Sequence, residues 1–421
     1  MRAAVTQTSV AGRPTVETWQ AEQGLRVALV KRLGAVVALR LTFAVGSRDD
    51  VHPGAAHMAE HLLFRAGDAA EARAGVEATG GVISAATTRE QVSLDAVCLP
   101  EMLPAALEAI ARIARGVARP THLERERPVV AGEALHDAEE RRRLWQLHAE
   151  ALFGAGHELA RPIVGSPEDV STLQSEHIAA VERRLLPRNA ALALVGPVPG
   201  AHALVERHVR LRQPEANAGS MSLEPGPASL PPARRLHEER RSSLLHLAVG
   251  WRFGGISDPD LPAVRLLGAI LAHGSGSRLY ASLRTRRRLA YRIETVTSVY
   301  RDAGYLAVVT ACDPHNGASM ANALVHELEQ LAGRGPSLSE LDTAVLKLRG
   351  ERARAFETSR ILAAYSATQL LWGRASAISG ELDELRAVTT GDIRRVAGRL
   401  VREGTSVASI GRTHLPRTPP S

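Results

Sequence analysis

The segment GAVVALRLTFAVGSRDDVHPGAAHMAEHLLF, residues 34–64, combines a strand, a turn and a helix in immediate succession. Its apolar first part predicts a strand, the polar residues SRDD predict a turn, and the final eleven residues, 54–64, predict a helix. On that helix His57 and His61 are four residues apart with Glu60 between them, so the three side chains share one face. The pattern raises the question whether this helix binds a metal ion.

The same layout recurs later in the chain. Residues 242–255 predict a strand, ISDPD predicts a turn, and 261–274 have the apolar spacing of a helix. Further helical runs lie at 102–117 and 318–333, and further strand-like runs at 90–99 and 304–313. We interpret the chain as two diverged copies of one α+β unit, of which only the first has the His-x-x-Glu-His sequence.

A stretch rich in Pro, Gly, Ser and Ala, residues 211–235, separates the two copies and predicts a linker. The expected domains are therefore residues 1–210 and 236–421. Strands mixed with helix pairs predict the α+β class, in which each half is an open, mainly antiparallel sheet covered by helices.

Composition excludes several classes of protein. The net charge is +7, but basic residues are spread along the chain beside 45 acidic ones, and no basic stretch has the interleaved aromatics of a nucleic-acid site. Cys98 and Cys312 lie far apart and have no metal-type spacing. Residues 1–19 lack the apolar segment of a secretory signal, and no apolar run is long enough to span a membrane. We therefore expect a cytoplasmic protein that binds neither nucleic acid nor membrane.

A metal site on the first helix would need a third ligand from another element. Catalytic zinc takes three protein ligands and keeps one position for water, whose pKa it lowers towards about 7. Residues 123–140, LERERPVVAGEALHDAEE, contain Glu126 and Glu133, which are seven residues apart and so share a helix face. A histidine pair four residues apart also arises by chance on many helices, but the inverted order His-x-x-Glu-His is a signature of inverzincins.

With these motifs the sequence resembles the pitrilysin family of zinc metallopeptidases, including its short bacterial members and the mitochondrial processing peptidase. The similar segments are 24–64, 80–113, 124–133 and 274–293. The resemblance implies that His57, His61 and Glu133 bind one Zn²⁺ per chain, that Glu60 is the general base, and that Glu126 supports the ligands from outside. It also implies two halves that close like a clamshell around a chamber.

The resemblance assigns further residues to the substrate. Ser84 and Ala85 lie in the segment 82–87, which is similar to the family's substrate-binding edge strand, although the family usually has Asn where Ser84 stands. Arg284 and Tyr291 match the family's Arg–Tyr pair, which contacts substrate, with the tyrosine directed towards the oxyanion. From the residues alone, Arg284 would be a solvated basic side chain and Tyr291 an ordinary core residue.

Two residues disturb the segment with the third ligand. Pro128 is comfortable only in a first helical turn, and Gly132 weakens a helix interior. We therefore expect this helix to begin near Pro128, with Glu126 just before it. Asp137, one turn beyond Glu133, is an alternative third ligand.

The sequence as a whole predicts a zinc-dependent endopeptidase that cleaves unfolded peptides or flexible precursor segments inside a closed chamber. Shorter members of the family work as dimers, so we expect a homodimer or a heterodimer with a related subunit. The presence of both the zinc motif and the Arg–Tyr motif in this chain favours self-sufficiency or a homodimer. The alternative is a non-catalytic or partner-dependent subunit of a heterodimeric peptidase, since one fold can serve different functions.

Overall fold

The computed structural model describes residues 6–8, 15–116, 119–136, 140–213, 231–290 and 292–412. Its strands, numbered in chain order, are β1 (Thr6–Thr8), β2 (Thr15–Gln20), β3 (Arg26–Lys31), β4 (Val37–Phe43), β5 (Val82–Thr87), β6 (Val92–Cys98), β7 (Ala190–Gly196), β8 (Arg235–Glu239), β9 (Leu245–Gly254), β10 (Arg292–Val299), β11 (Ala303–Cys312) and β12 (Ser406–Gly411). They form two separate sheets.

The α-helices surround these sheets. They are α1 (Ala55–Leu63), α2 (Ala69–Glu77), α3 (Leu103–Ala114), α4 (Pro120–His136), α5 (Glu140–Phe153), α6 (Pro167–Thr172), α7 (Ser175–Glu182), α8 (Ala201–His208), α9 (Leu261–Ala272), α10 (Gly317–Arg334), α11 (Leu338–Phe356), α12 (Ser359–Leu371), α13 (Ala377–Arg386) and α14 (Thr390–Glu403). None of the described helices combines the length and the apolar composition that a membrane-spanning helix needs.

The chain divides into two compact units. Unit 1 contains the described residues within Met1–His136, Arg161–Met221 and Ala353–Glu381. Unit 2 contains the described residues within Asp137–Ala160, Ser222–Arg352 and Leu382–Ser421. The expected boundaries, 1–210 and 236–421, do not include this exchange of segments, in which α5 joins unit 2 and α12 joins unit 1. Most of the expected linker lies outside the described residues, and its last residue, Arg235, begins β8.

Unit 1 is built on a seven-stranded sheet with the order β1-β2-β3-β7-β4-β6-β5. All neighbouring strands are antiparallel except β3 and β7. Successive residues of a strand point to opposite faces. On β3, Val27 and Leu29 accordingly pack in the core that includes α1 and α3, whereas Ala28 and Val30 pack in a second cluster with Leu362 of α12. Because both faces of the strands are apolar, helices cover the sheet on both sides.

Unit 2 repeats this plan with a five-stranded sheet in the order β10-β11-β9-β12-β8. Only β12 and β8 are parallel. On β9, Leu247 and Val249 pack in the core with α9, α10 and α14, whereas Ala248 on the opposite face packs against Leu144 and Leu147 of α5. Each sheet therefore has one face covered by a helix from the other half of the sequence.

The two sheets have the same topology over five strands. In chain order, β3 to β7 of unit 1 correspond to β8 to β12 of unit 2, with the same spatial order and the same single parallel pair. The prediction of α+β halves with open, mainly antiparallel sheets is confirmed, and the internal repeat is visible in the strand order. The predicted clamshell arrangement stays a prediction.

A buried histidine marks the packing of α5 on its sheet. His148 is fully buried, its ring is edge-on to Trp145 and Tyr305, and neither ring nitrogen has a hydrogen-bond partner among the described residues. A Cβ at Gly250 would collide with this ring, so the glycine leaves the space that the imidazole occupies. Burial lowers the pKa of His148 to about 3, which keeps the imidazole neutral.

Candidate metal centre

Helix α1 begins at a glycine that other residues cannot easily replace. Gly54 has φ +86°, in the left-handed region, and a Cβ there would lie 2.5 Å from the carbonyl oxygen of Val164. Just outside the helix, the Asp50 carboxylate accepts a hydrogen bond of 2.9 Å from the backbone N–H of Ala56. Burial raises the pKa of the Asp50 carboxyl to about 7. Its hydrogen bond with Ala56 satisfies one of the free donors of the first turn. The start of α1 is thereby fixed.

Three side chains that can bind a metal ion converge in unit 1. His57 and His61 of α1 point their Nε2 atoms at the Glu133 carboxylate on α4, with distances to Oε2 of 3.0 and 3.5 Å. The three potential ligand atoms all lie within 4.8 Å of one another, and the described residues contain no other such group of three or more. The side chain of Glu133 is 45% exposed, so solvent reaches the site.

Glu133 comes from a helix that begins earlier than we expected. The expectation of a start near Pro128, with Glu126 outside the helix, was wrong, because α4 runs from Pro120 to His136 with Pro128 in its interior. Proline removes one backbone hydrogen bond. Leu123 and Val130, on either side of it, are buried in the core of unit 1, and this packing keeps both parts helical. Glu126 and Glu133 therefore lie on one face, two turns apart.

Glu126 orients one of the candidate ligands from outside. Its Oε2 lies 3.4 Å from Nδ1 of His61, which leaves Nε2 of that ring directed at Glu133. Its other oxygen accepts a hydrogen bond of 2.6 Å from Nε of Arg65. Such partners fix the tautomer and orientation of a metal-binding histidine. Arg65 had not been anticipated, and it lies just beyond the end of α1.

Glu60 lies beside the candidate ligands and is held by the edge strand. Its Oε2 accepts a hydrogen bond of 2.7 Å from the hydroxyl of Thr87, the last residue of β5, and lies 3.7 Å from Nδ1 of His57. Burial raises the pKa of the Glu60 carboxyl, but the neighbouring imidazole of His57 and the hydrogen bond from Thr87 outweigh burial and hold that pKa below its usual value. No local signal in the sequence indicated the bond between Thr87 and Glu60, since the two residues are 27 positions apart.

Burial and two neighbouring carboxylates, those of Glu60 and Glu133, change the pKa of His57. Burial lowers the pKa of its imidazole, but the neighbouring carboxylates of Glu60 and Glu133 outweigh burial and raise the pKa above its usual value. The imidazole of His57 thus lies between the carboxylates of Glu60 and Glu133. The nitrogen and oxygen atoms of this group are suitable ligands for a divalent cation.

The expected substrate-binding residues lie on a free sheet edge. Ser84 and Ala85 belong to β5, which pairs with β6 on one side. No strand of the described residues pairs with the other side of β5. Ala85 packs towards the core that includes α1, and the hydroxyl of Ser84, on the opposite face, accepts a hydrogen bond of 3.0 Å from Arg360 of α12.

Of the three remaining candidate residues, only Arg284 lies among the described residues. Arg284 lies in unit 2, on a π-helical segment, Tyr280–Arg286, where it is exposed and stacks over the ring of Tyr280 at 4.9 Å. Tyr291 and Asp137 both lie outside the described residues. Their predicted roles, as substrate contact and as alternative third ligand, stay predictions.

Comparisons with known proteins agree with this fold. The sequence model described as insulinase (peptidase family M16) matches residues 26–165, and the model described as peptidase M16 inactive domain matches residues 178–348. A solved structure described as a protease from Helicobacter pylori superposes with a TM-score of 0.84 over 95% of this chain and 100% of the other, at 21% identity. At this identity the likeness shows the fold alone.

Relatives identify the family. A protein from Mycobacterium tuberculosis named as an uncharacterized zinc protease is 30% identical over 410 residues, which cover 92% of this chain and 91% of the relative. Subunit 1 of the mitochondrial cytochrome b-c1 complex from Bos taurus is 26% identical over 324 residues, covering 71% of this chain and 66% of the relative. The predicted resemblance to pitrilysin-like zinc proteases is confirmed, and the chain belongs to peptidase family M16, the insulinase family.

Proposed function

We propose that the protein is a zinc-dependent endopeptidase that cleaves unfolded peptides or flexible precursor segments. The observation that carries this proposal is the convergence of His57, His61 and Glu133 next to Glu60. The donor set of two imidazoles and one carboxylate is that of catalytic zinc sites with three protein ligands. Membership of a family whose relatives include named zinc proteases supports the same activity.

The residues present fit a zinc ion. Zinc bonds of about 2.0–2.2 Å in a tetrahedral arrangement place ligand atoms roughly 3.3 Å apart. The distances from Glu133 Oε2 to the two Nε2 atoms, 3.0 and 3.5 Å, are close to that spacing. His57, His61 and Glu133 would hold the ion, and Glu126 would keep the ring of His61 in place. When bound, zinc supplies a Lewis acid that polarises a carbonyl and lowers the pKa of coordinated water.

Glu60 would act as the general base and later as the general acid of the reaction. Its Oε2 would accept a proton from the attacking water and later deliver it to the leaving nitrogen. The hydrogen bond from Thr87 holds this oxygen next to His57, one of the candidate ligands. The pKa of Glu60, lowered below its usual value, keeps the carboxylate ionised and ready to accept a proton at neutral pH.

The free edge of β5 would hold the substrate. An extended peptide can add to an exposed strand through main-chain hydrogen bonds, which are largely indifferent to sequence. Thr87 of this strand is bonded to Glu60, so a peptide along β5 would pass beside the catalytic group. Only a segment without its own secondary structure can pair in this way, which restricts substrates to unfolded chains. Arg284 and Tyr291 would contribute further substrate contacts, as their family motif implies.

The rival function is a non-catalytic or partner-dependent subunit. It is favoured by the match of residues 178–348 to the model described as an inactive domain and by the relative that is a subunit of the cytochrome b-c1 complex. Against it stands the complete set of His57, Glu60, His61 and Glu133 in this chain. Under either function the chain would pair with a second copy or with a related subunit.

The test begins with the metal content of the purified full chain, measured by mass spectrometry. We expect about one zinc per wild-type chain and a clear loss in Glu133→Gln, because a site of three ligands cannot spare one. Cleavage of an unstructured fluorogenic peptide should then be seen in wild type and be absent in Glu60→Gln, which keeps its zinc. This variant also controls for contaminating proteases. A zinc-loaded wild type that cleaves no peptide would support the rival function.

A further inference from the structure

One arginine on α12 lies against the free edge strand. An Nη atom of Arg360 donates a hydrogen bond of 3.0 Å to the hydroxyl of Ser84 on β5 and lies 3.8 Å from the carboxylate of Asp95 on β6. The Arg360 side chain is 51% exposed. The guanidinium therefore rests on the substrate-binding strand while much of it remains open to solvent.

This arginine lies on the face of the sheet opposite the candidate metal centre. Along β5, Ile83 and Ala85 pack into the core that includes α1, and Thr87 bonds to Glu60 of α1. Ser84 alternates with these residues and points to the other face, where α12 packs. A peptide added to the edge would alternate in the same way, so every second side chain would emerge on the face that Arg360 occupies.

The charge of Arg360 is not matched by a carboxylate of its own. Both carboxylate oxygens of Asp95 are bound by Arg40, which donates one hydrogen bond of 2.6 Å from Nε and one of 2.6 Å from Nη. Such a bidentate pair satisfies the carboxylate in geometry and charge. The group of Arg40, Asp95 and Arg360 thus carries one excess positive charge, and among the described residues the other polar partner of Arg360 is the neutral hydroxyl of Ser84.

The surroundings of Arg360 would strengthen binding of an anion. Val82, which shares the face of Ser84 on β5, is 57% exposed. Apolar side chains beside a charged pair exclude water when a ligand covers them, and electrostatic attraction grows as water leaves. An acidic side chain with an apolar stem fits such a site, because its carboxylate matches the planar fork of arginine.

We propose that Arg360 selects substrates with an Asp or Glu side chain at one position of the segment that pairs with β5. The inference rests on the proposed peptidase function and deepens it, because backbone pairing alone would not distinguish one unfolded peptide from another. The carboxylate would bind the exposed side of the guanidinium, while Ser84 and Asp95 hold the other side.

The experiment compares three fluorogenic peptides with Glu, Gln or Lys at the same position, scanned over the residues next to the cleaved bond. With zinc-loaded full-length protein, we expect kcat/KM at one position to be about tenfold higher for Glu than for Gln, as for a gained charge-assisted hydrogen bond. Arg360→Gln should bring this ratio close to one, Arg360→Lys should retain part of it, and Arg360→Glu should favour Lys. Arg112→Gln removes the same charge from α3, where Arg112 pairs with Glu108, and should keep the wild-type ratio.

Binding separates failure of this inference from failure of the proposed function. Zinc-loaded Glu60→Gln should bind the labelled Glu peptide about tenfold more tightly than the Gln peptide, and the additional change Arg360→Gln should abolish the difference. If wild type cleaves no peptide but this binding difference is present, the peptidase proposal fails and the selection by Arg360 stands. Equal binding or cleavage of the Glu and Gln peptides by wild type, or an unchanged ratio in Arg360→Gln, would overturn the inference.

Discussion

The hydroxyl of Thr87 donates a hydrogen bond of 2.7 Å to Oε2 of Glu60, and so joins the end of the free edge strand to the helix with the candidate metal ligands. We expect Thr87→Val to lower kcat for peptide cleavage by about tenfold, because the variant keeps the shape of the side chain but removes the donor that holds the carboxylate. Zinc content should not change. Thr87→Ser keeps the hydroxyl and should retain most of the activity, so equal losses in both variants would argue against a positioning bond.

Glu126 should affect metal binding without being a ligand. Glu126→Gln weakens the support of His61 and removes the charge partner of Arg65, so we expect zinc affinity to fall by about 10- to 100-fold. Competition with a fluorescent chelator measures this change. Glu124→Gln is the matched control, because Glu124 lies on the same helix but pairs with Arg127 at the surface. If the two variants bind zinc equally well, Glu126 has no role in the metal centre.

Two glycines near the centre should respond oppositely to alanine. Gly132 lies in the interior of α4, and among the described residues a Cβ there would meet no atom outside the backbone of its own helix within 4 Å. Gly132→Ala should therefore stabilise unit 1 by about 1 kcal/mol and raise the melting temperature. Gly54 has φ +86° and faces the carbonyl of Val164, so Gly54→Ala should destabilise it by at least about 1–2 kcal/mol and reduce zinc binding. Thermal unfolding monitored by circular dichroism distinguishes the two, and a lower melting temperature for Gly132→Ala would contradict the expectation.

His148 should make unit 2 sensitive to acid. Burial lowers the pKa of the folded imidazole to about 3, whereas in the unfolded chain it takes its ordinary value of about 6.5. The unfolded state thus binds a proton that the folded state does not, so the free energy of unfolding falls as pH drops from about 6.5 towards 3. The slope contributed by this residue is roughly 1.4 kcal/mol per pH unit.

His148→Leu should flatten that dependence, because the apolar side chain has no proton to bind. The difference in free energy of unfolding between wild type and variant, measured in urea at several pH values, isolates the effect of His148 from that of other titrating groups. His326→Gln is the control, since His326 lies on the exposed side of α10 in the same unit. A constant difference between pH 7 and pH 5 would show that His148 is already protonated or hydrated in the folded state.

Variants of Arg284 and Tyr291 test whether this chain cleaves peptides without a related subunit. We expect Arg284→Ala and Tyr291→Phe each to lower kcat/KM for peptide cleavage when this protein is assayed alone. Arg286→Ala is the matched control, because Arg286 is also exposed on the same π-helical segment. If Arg284→Ala and Tyr291→Phe behave like the control, then a related subunit supplies this motif or the reaction does not use it.

Local pattern predicted much of the fold. Apolar runs at 34–46 and 242–255 correspond to β4 and β9, and the helical spacing at 261–274 corresponds to α9. These elements are largely buried, and the spacing of their apolar residues reflects which side chains face the core. Local rules failed at Pro128, where packing of Leu123 and Val130 in the core outweighs the cost of a proline inside α4.

In the candidate site too, the sequence predicted the local pattern but not the tertiary contacts. The spacing of His57, Glu60 and His61 is a property of one helix, and it could be seen without a structure. The contacts of Thr87 with Glu60 and of Arg360 with Ser84 join residues 27 and 276 positions apart, so they depend on tertiary packing. Such contacts leave no periodic trace in a sequence, and the residues that make them could not be identified from it.

The exchange of α5 and α12 between the two halves of the sequence means that neither half is a complete fold by itself. A fragment of residues 1–210 would lack α12, and one face of β3 would expose Ala28 and Val30 to water. A fragment of residues 236–421 would lack α5 in the same way. The two fragments are complementary pieces, and produced together they should reassemble as a split protein. The repeat seen in the strand order is thus not a pair of self-contained copies, because each copy completes its sheet with a helix that the other copy encodes.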